Sequence, residues 1–538
     1  MSSTLKVHSP LGEVRPQGVQ PLTTRLPGLA GRRILFINSW AAGAGFEPMH
    51  EALRSQLLAE HPGAEFSVVD KPTMYATDDP DFWSQVVENH DAFIYAGAPS
   101  ASTTHYAVHY TALLEQRGRP GVALAYDTLE ADVLNSLQTS PAPVRWHALP
   151  YPLDKLPAPK LQAFAASVLE SLLRPLSPDE AAPSAVQRAA GPAFFTWQAD
   201  ALQDEFHERG WTDGLPVVPP TPSRVEAMLA ATSHREDEVL AEAMGPEGRR
   251  VTVLQAAVNA VMAGCAPAAF PAVLAAIEAF NSSRNLNAAS FTTCARSTNS
   301  FAFVQMVNGP FRHEIGMNAG LNALGPGSRA NATLGRALRL AMINLGGVAI
   351  GKNAFPVQGN PAAYSFAFAE NEEASPWPAY SADAGQAPED SVLTLWTGGW
   401  SHVGNYIEAP IDNLARDIST FESPSGVLIL LSPQRARHLA EQGHDKEAVR
   451  HLVWSLARRS AREFRGDVYW KALIEPNIRL NDERRLWPKA YLTVPDDTMI
   501  PVFPEHNVRI VVVGGEISPM AQAWKVTLPV SVSIDAWR

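Results

Sequence analysis

Cysteine is scarce in this chain, which has only Cys265 and Cys294 among its 538 residues. Two cysteines are too few for a disulfide framework or for a zinc site built from a cysteine set. We therefore expect reduced thiols and a cytoplasmic location. Nothing in the sequence requires a cofactor, and a bound metal ion is kept as an alternative.

Basic clusters and long apolar runs are missing as well. The formal net charge is −12 and Lys and Arg form no dense block, so nucleic acid and anionic membranes are not expected partners. No apolar run reaches the roughly 18 residues that span a membrane. The N-terminal stretch MSSTLKVHSPLGEVRPQ lacks the apolar core of a signal peptide. The expected partner is a small-molecule substrate.

Strand-like and helix-like segments alternate regularly over residues 32–176, after a Pro/Gly-rich extended arm at residues 1–31. Strands alternating with helices predict βαβ units and a parallel sheet, here of the flavodoxin-like kind. Residues 177–193 are rich in Ala and Pro and predict a linker. Residues 194–538 predict a larger α/β domain, with the alternative that it divides near residue 420. The chain's size and its arm favour a homodimer.

The larger region, residues 194–538, contains both helix-like and strand-like tracts. Helix-like tracts lie at residues 223–230, 251–263, 271–280, 331–344 and 445–464, and strand-like tracts at residues 425–431 and 507–515.

The loop AGAPSASTT follows the third strand-like run and leads into a helix-like segment. In the flavodoxin-like strand order a ligand binds between the first and third strands, so this loop and the loop at residues 39–47 would border the site. Free N–H groups at the helix start favour an anion. The loop's hydroxyl residues Ser100, Ser102, Thr103 and Thr104 are expected to donate further hydrogen bonds to the ligand, with Ser102 and Thr104 as substrate-binding residues. Alternatively, they only cap the helix and turn the chain.

Two histidines follow the loop. His105 and His109 are four residues apart and share a face of the predicted helix. This spacing can hold a metal ion, but the metalloprotease motif has a glutamate where this chain has Tyr106. We expect His105 to transfer protons, with a metal pair or an ordinary polar pair as the alternatives.

The stretch DAFIYAGAPSASTTHYAVHYTALLEQRGRPGVALAYD resembles the redox segment of UGSC-family (seleno)proteins. It is more distantly similar to the selenoprotein B component of glycine, sarcosine and betaine reductases. The family loop carries selenocysteine or cysteine, then Gly-Ser-Cys, then usually another cysteine. These positions correspond here to Ser100, Ala101, Ser102, Thr103 and Tyr106. The resemblance implies the fold, but a serine hydroxyl cannot cycle between redox states, so reduction by this loop is not expected.

The same resemblance extends into the larger region and spans about residues 30–530. The stretches that carry it there are residues 211–229, 258–279, 307–347 and 359–377.

A Gly-Pro-Gly loop before an amphipathic helix predicts a site for a carboxylate or phosphate. Small residues, free helix N–H groups and a guanidinium suit such an anion. The candidate binding residues are Asn308, Gly325, Gly327, Arg329 and Asn331. We expect Asn331 or Thr333 to cap the helix. The alternative is a structural turn with an exposed arginine.

Further side chains are candidates for chemistry. Glu370 follows the alternating run YSFAFA and is a candidate general base or hard-metal ligand, or part of an acidic turn. Cys294, near Arg296, is a candidate nucleophile or a buried small residue. Cys265 is expected in the core. Asp213 either lines the site or forms an Asx turn.

Together these residues predict an enzyme that acts on a small polar or anionic substrate at a carbon–heteroatom bond. The reaction would be lysis, condensation or group transfer, such as a tailoring step in biosynthesis. The site would lie between the domains, with Arg329 facing the loop that offers Ser100 and Thr103 as hydrogen-bond donors or nucleophile. The alternatives are a thiol-dependent reductase using Cys294, a metal-dependent enzyme, and a non-catalytic binding subunit.

Overall fold

A computed structural model describes most of the chain. The described residues are 4–14, 19–40, 45–183, 191–283, 290–405, 411–421, 426–467, 470, 474–480 and 487–538. The expected ligand-binding loop at 39–47 and the expected linker at 177–193 therefore lie partly outside the described residues. Within these ranges no helix has the length and apolarity needed to cross a membrane.

The first region is a sheet with helices on both sides. Its strands are β1 (Thr4–His8), β2 (Arg33–Asn38), β3 (Glu65–Asp70), β4 (Ala92–Ala96), β5 (Gly121–Tyr126) and β6 (Trp146–Leu149). Its helices are α1 (Glu47–Glu60), α2 (Pro80–Asn89), α3 (Ala101–Gln116), α4 (Glu130–Leu137), α5 (Ala158–Leu173) and α6 (Pro178–Ala181).

The five strands β2 to β6 pair in parallel in the order β3-β2-β4-β5-β6. This is the flavodoxin-like order, which confirms the predicted fold class. Alternate side chains of β2 enter two cores: Ile34 and Phe36 pack with α1 and α5, whereas Leu35 and Ile37 pack with Trp83 and its neighbours. The continuous apolar run RILFIN is therefore explained by helices that cover both faces.

The second region has a larger mixed sheet. Its strands are β7 (Phe194–Gln198), β8 (Val239–Met244), β9 (Arg249–Thr252), β10 (Ala302–Asn308), β11 (Ala367–Ala369), β12 (Val392–Asn405), β13 (Gly426–Leu431), β14 (Arg458–Ser460), β15 (Met499–Pro501), β16 (Val508–Val512), β17 (Ala521–Val526) and β18 (Val530–Ser533). Its helices are α7 (Leu202–Glu208), α8 (Pro222–Leu229), α9 (Val253–Ala263), α10 (Phe270–Ser282), α11 (Phe291–Arg296), α12 (Phe311–Glu314), α13 (Arg329–Asn344), α14 (Tyr380–Asp383), α15 (Ile411–Ile418), α16 (Pro433–Glu441), α17 (Lys446–Leu456), α18 (Ala461–Gly466) and α19 (Glu475–Leu480).

Seven strands form this sheet in the order β11-β10-β12-β17-β13-β16, with β18 also paired to β12. The sheet continues across residue 420, because β17 pairs with both β12 and β13. The helix-like tract at 445–464 is not one helix, so that prediction is wrong. Helix α17 ends at Leu456. A separate helix, α18, starts after Ser460, which forms a capping box with Glu463.

The N-terminal arm contacts both regions. Strand β1 pairs antiparallel with β7, and Glu13 forms a bridge with Arg250. Farther along, Arg25 forms a buried ion pair of 2.5 Å with Glu115 of α3. The arm thus holds the two regions together, while the exact domain limits stay predictions.

Candidate functional site

The hydroxyl-bearing loop lies against the second region. Ser102 Oγ donates a hydrogen bond of 3.1 Å to the carbonyl oxygen of Thr293 in α11. The exposed fractions of Ser102, Thr103 and Thr104 are 1%, 0% and 0%. Ser102 is therefore part of the packing between the first region and α11, and Thr103 and Thr104 are buried next to it in sequence.

The start of α3 is organised by backbone contacts. Ser100 is the N-cap residue, but its side chain makes no capping hydrogen bond. The hydroxyl of Thr103 lies 2.7 Å from the carbonyl oxygen of Ala98 and 2.8 Å from that of Ser100. Of the two alternatives for this loop, these contacts favour a structural role for Thr103.

His105 belongs to a polar cluster between the two regions. Its Nδ1 lies 2.9 Å from the hydroxyl of Ser136. Arg296 of α11 forms an ion pair of 2.5 Å with Asp132, and the two side chains are 2% and 0% exposed. Burial raises the pKa of Asp132 to about 6, which Arg296 opposes. Burial and the charge of Arg296 lower the pKa of His105 well below its usual range, so the imidazole is neutral at pH 7.

Several buried polar atoms of this cluster have no protein partner among the described residues. They are Oδ2 of Asp132, Nε and Nη1 of Arg296, both amide atoms of Asn135 and Oγ1 of Thr104. Buried polar atoms are usually hydrogen-bonded, by ordered water where no protein group serves. The interface is therefore suited to a hydrated polar contact that joins the two regions.

The two histidines of α3 lie on one face of that helix, as their spacing predicts. The ring centroids of His105 and His109 are 6.4 Å apart, and the two ring planes are inclined by 21°. No group of three or more His, Cys, Asp or Glu side chains is placed to hold a metal ion among the described residues. The ordinary polar pair is the better interpretation of their spacing.

The predicted anion loop before α13 is held by its own hydrogen bonds. The exposed guanidinium of Arg329 donates from two nitrogens to the carbonyl oxygen of Gly264, at 3.0 and 2.9 Å. Ser328 is the N-cap and accepts from the backbone N–H of Asn331, so the expectation that Asn331 or Thr333 caps the helix is wrong. Ser328 precedes the first helical residue, the position from which a side chain reaches the free N–H groups.

The remaining residues of that loop have structural roles too. The Asn331 amide donates to the carbonyl oxygens of Asn318 and Ala323. Gly327 has a φ of 125°, and a Cβ on Gly325 would lie 2.1 Å from Oδ1 of Asn322. Across the described residues, no hydrogen bond or ion pair joins this loop to residues 98–105. The contacts favour the structural turn over the anion cradle.

Glu370 and Asn308 meet at the ends of the parallel strands β10 and β11. The amide of Asn308 donates to Oε2 of Glu370 at 2.5 Å, and the backbone N–H of Tyr380 donates to the same oxygen at 2.7 Å. Glu370 is fully buried, and this burial raises its pKa to about 7, opposed by Lys446 and the two hydrogen bonds. Glu373, in contrast, is 60% exposed and pairs with Arg312.

The stability of the fold is expected to depend on pH through Glu370. The pKa of Glu370 in the folded protein, about 7, lies above the value of 4.5 that a glutamate has in the unfolded chain. Protonated Glu370 therefore favours the folded state fully below pH 4.5, and this contribution is lost as pH rises through about 7. Between pH 5 and pH 8, the free energy of unfolding of the wild type, measured with urea, should fall by about 2–3 kcal/mol more than that of Glu370→Gln.

The comparison between variants isolates this carboxyl from other titrating groups. Glu373→Gln is the matched control, because its carboxylate is ionised throughout that pH range. An identical pH dependence in the wild type and in Glu370→Gln would show that Glu370 is ionised in the folded protein at pH 5.

A cavity of about 460 Å³ opens beside α11 and α13. Its volume is in the range of small-molecule sites. Its walls come from residues 294–303 and 350–364, with Asp213, Arg339 and Met342. The cavity holds two of the groups singled out in the sequence, Cys294 and Asp213.

The thiol of Cys294 faces this cavity and is 6% exposed. The hydroxyl of Thr397 donates to its sulfur at 3.4 Å. Hydrogen bonding to a thiolate stabilises the charged form. The other cysteine differs: Cys265 is buried and its Sγ contacts the carbonyl oxygen of Thr333 at 3.4 Å. Burial raises the pKa of Cys265 to about 11, so it stays a protonated core thiol.

Arg339 supplies positive charge to the cavity wall. It makes no hydrogen bond or ion pair with any described residue, whereas Arg336 binds Asp213 through two contacts of 2.8 Å. Burial lowers the pKa of Arg339, with Asp213 and Tyr364 opposing. Asp213 also accepts from the backbone N–H of Leu215, so both interpretations of this residue apply.

The sequence reasoning missed Arg339 and Asp132. A signal for Arg339 exists, because Arg336 and Arg339 lie three residues apart on one face of an amphipathic helix. Asp213 binds Arg336, which leaves the charge of Arg339 for another anion. No local pattern marks Asp132, whose partner Arg296 is far away in the chain.

Helix α11 lies between the polar cluster around His105 and the cavity that Cys294 lines. Thr293 and Arg296 contact the first region, while Cys294 lines the cavity. A helix of six residues therefore fixes the thiol by its contacts with both α3 and α4.

The UGSC family model matches residues 6–178. The match covers the arm and the five-stranded parallel sheet, about a third of the chain, and it confirms the family resemblance for this segment. The resembling stretches after residue 178 lie outside the match, and the more distant likeness to selenoprotein B stays a prediction. No curated protein matches the chain.

Proposed function

We propose that this chain, in which a UGSC-family segment is followed by a larger α/β region, is an enzyme that uses Cys294 for group transfer. Its substrate is a small molecule that carries a carboxylate and a reactive carbon–heteroatom bond. The observation that carries the proposal is that a thiol and an unpaired guanidinium line the same cavity of about 460 Å³.

The thiol supplies the nucleophile. Cys294 attacks the electrophilic carbon, a carbon–sulfur bond forms, and the bond to the leaving heteroatom breaks while that atom takes up the thiol proton. A second nucleophile then releases the group from sulfur. The hydroxyl of Thr397 stabilises the thiolate on the way. Such chemistry needs a reduced thiol, in accord with the expected cytoplasmic location.

The guanidinium supplies binding and orientation. Arginine binds a carboxylate through two parallel hydrogen bonds, which fix direction as well as position. Asp213 does not compete for Arg339, because Arg336 already binds both of its carboxylate oxygens. The His105 cluster acts at a distance in this proposal, since it holds α11 and thereby positions Cys294.

Mono-p-nitrophenyl esters of succinate and glutarate test the proposal. They present a carboxylate, an ester carbon and a coloured leaving group. We expect a burst of nitrophenolate stoichiometric with protein, and an acyl mass on the peptide that contains Cys294. Cys265 is the internal control and should remain unmodified.

Variants separate the proposal from its rivals. Cys294→Ser should abolish the burst, while Ser100→Ala should leave it unchanged. A burst that survives in Cys294→Ser but not in Ser100→Ala would instead support the hydroxyl loop. If Cys294 forms only mixed disulfides and never an acyl adduct, the thiol-dependent reductase is the better assignment.

A further inference from the structure

The cavity of Cys294 and Arg339 is lined by both polar and apolar side chains. We propose that it binds an amphipathic monocarboxylate, with the carboxylate at Arg339 and an apolar chain or ring directed along Phe301 and Met342 toward the mouth. This inference rests on the proposed function, for which it names the substrate class.

The charge of the cavity selects a monoanion. Among the described lining residues, Asp213 and Arg339 are the charged ones. Arg336 neutralises Asp213, so the cavity retains one positive charge. One carboxylate balances this charge. A phosphate monoester would bring about two negative charges at neutral pH and leave one of them uncompensated in a partly buried site.

Much of the cavity lining is apolar. Its apolar side chains come from both flanking segments and from α13: Phe301, Phe303, Met342, Ile350, Pro356 and Val357. A ligand made only of polar groups would leave this surface without a partner. Burying apolar surface is favourable in proportion to the area removed from water.

Three of the apolar lining residues are exposed to solvent. Ile350, Val357 and Tyr364 are 63%, 72% and 51% exposed, and all three line the cavity. Single exposed apolar residues are ordinary on protein surfaces. Three of them around one opening, next to a cation, match a ligand whose apolar end leaves the cavity across this rim.

Unreactive carboxylates test the inference without any chemistry at Cys294. Isothermal titration calorimetry of the full chain is done with acetate, butanoate, hexanoate and octanoate. Affinity is expected to rise about fourfold for each buried methylene group. Octanamide should bind much more weakly than octanoate, because it lacks the charge that Arg339 pairs with.

Two sets of variants divide the contributions. In Arg339→Gln, octanoate and octanamide should bind alike while the chain-length dependence persists, and Arg235→Gln, an exposed arginine elsewhere, should change nothing. In Val357→Ser with Ile350→Ser, both on exposed positions, the chain-length dependence should flatten while acetate binding is kept.

The outcomes are distinguishable from those of the proposed function. A flat chain-length series overturns the inference, even if Cys294 is acylated by the short esters. A steep series that Arg339→Gln does not alter overturns the carboxylate assignment. If the substitutions at Val357 and Ile350 change the oligomeric mass but leave carboxylate binding unchanged, these residues form a contact with a second copy of the chain and the inference is wrong. A steep, Arg339-dependent series without acylation supports the ligand class and removes the thiol chemistry.

Discussion

Replacing Arg296 by alanine is expected to lower the free energy of unfolding by about 3–5 kcal/mol, because it leaves a buried carboxylate without its partner. Arg296 and Asp132 are 2% and 0% exposed, so bulk solvent has no direct access to the carboxylate. Asp132 already has one oxygen without a protein partner among the described residues. The change also removes a contact between the two regions, so limited proteolysis should become faster at their junction.

Urea unfolding followed by tryptophan fluorescence measures the effect of this change. Arg235→Ala is the matched control, since Arg235 pairs with Asp237 on the surface, where the side chains are 79% and 65% exposed. Its cost should stay within about 1 kcal/mol. Combining Asp132→Leu with Arg296→Met should restore much of the stability, because the buried charges are then both absent. If Arg296→Ala and Arg235→Ala lower the free energy of unfolding equally, water solvates Asp132 once Arg296 is removed, and the prediction is wrong.

Replacing Arg339 by glutamine is expected to slow acylation of Cys294 by the mono-p-nitrophenyl esters about 100- to 1000-fold. Losing one partner of a desolvated charge pair costs about 2–5 kcal/mol, and each 1.4 kcal/mol is about tenfold. The neutral ester p-nitrophenyl acetate, which has no carboxylate, should react equally with both proteins. Stopped-flow measurement of nitrophenolate release gives the two rate constants.

Two further arginine variants decide where the anion binds. Arg339→Lys should keep part of the rate, because the charge remains while the two-pronged geometry is lost. Arg329→Gln should react like the wild type, since its guanidinium is bound to a backbone carbonyl. If Arg329→Gln is the slower of the two glutamine variants, the loop before α13 is the anion site and the cavity is not.

The first region was predictable because its signals are local. Strands such as RILFIN and GVALAY are short apolar runs that alternate with helix-like segments. The start of α2, which follows β3, is marked by Asp79, whose side chain caps the helix. The strand order followed from the βαβ rhythm and the family resemblance. The tract at 445–464 is not one helix because Ser460 caps a new helix, α18, after the short strand β14.

The site was predictable only in pieces. Cys294, Asp213, Glu370 and Asn308 each have a chemical character that the sequence displays. Their neighbours depend on contacts between distant segments: Ser102 meets Thr293 across 191 positions. No periodicity encodes such a pairing, so a meeting of residues 98–105 with Arg329 cannot be derived from local patterns and stays a prediction.

The placement of α11 has a consequence for how this protein changes over time. One side of that short helix is complementary to the first region, and the other side carries the reactive sulfur. A substitution that improves the fit on one side shifts the sulfur on the other. The two halves of the molecule must therefore evolve together, and a hybrid made with the amino-terminal half of a relative should fold but carry a thiol of altered reactivity.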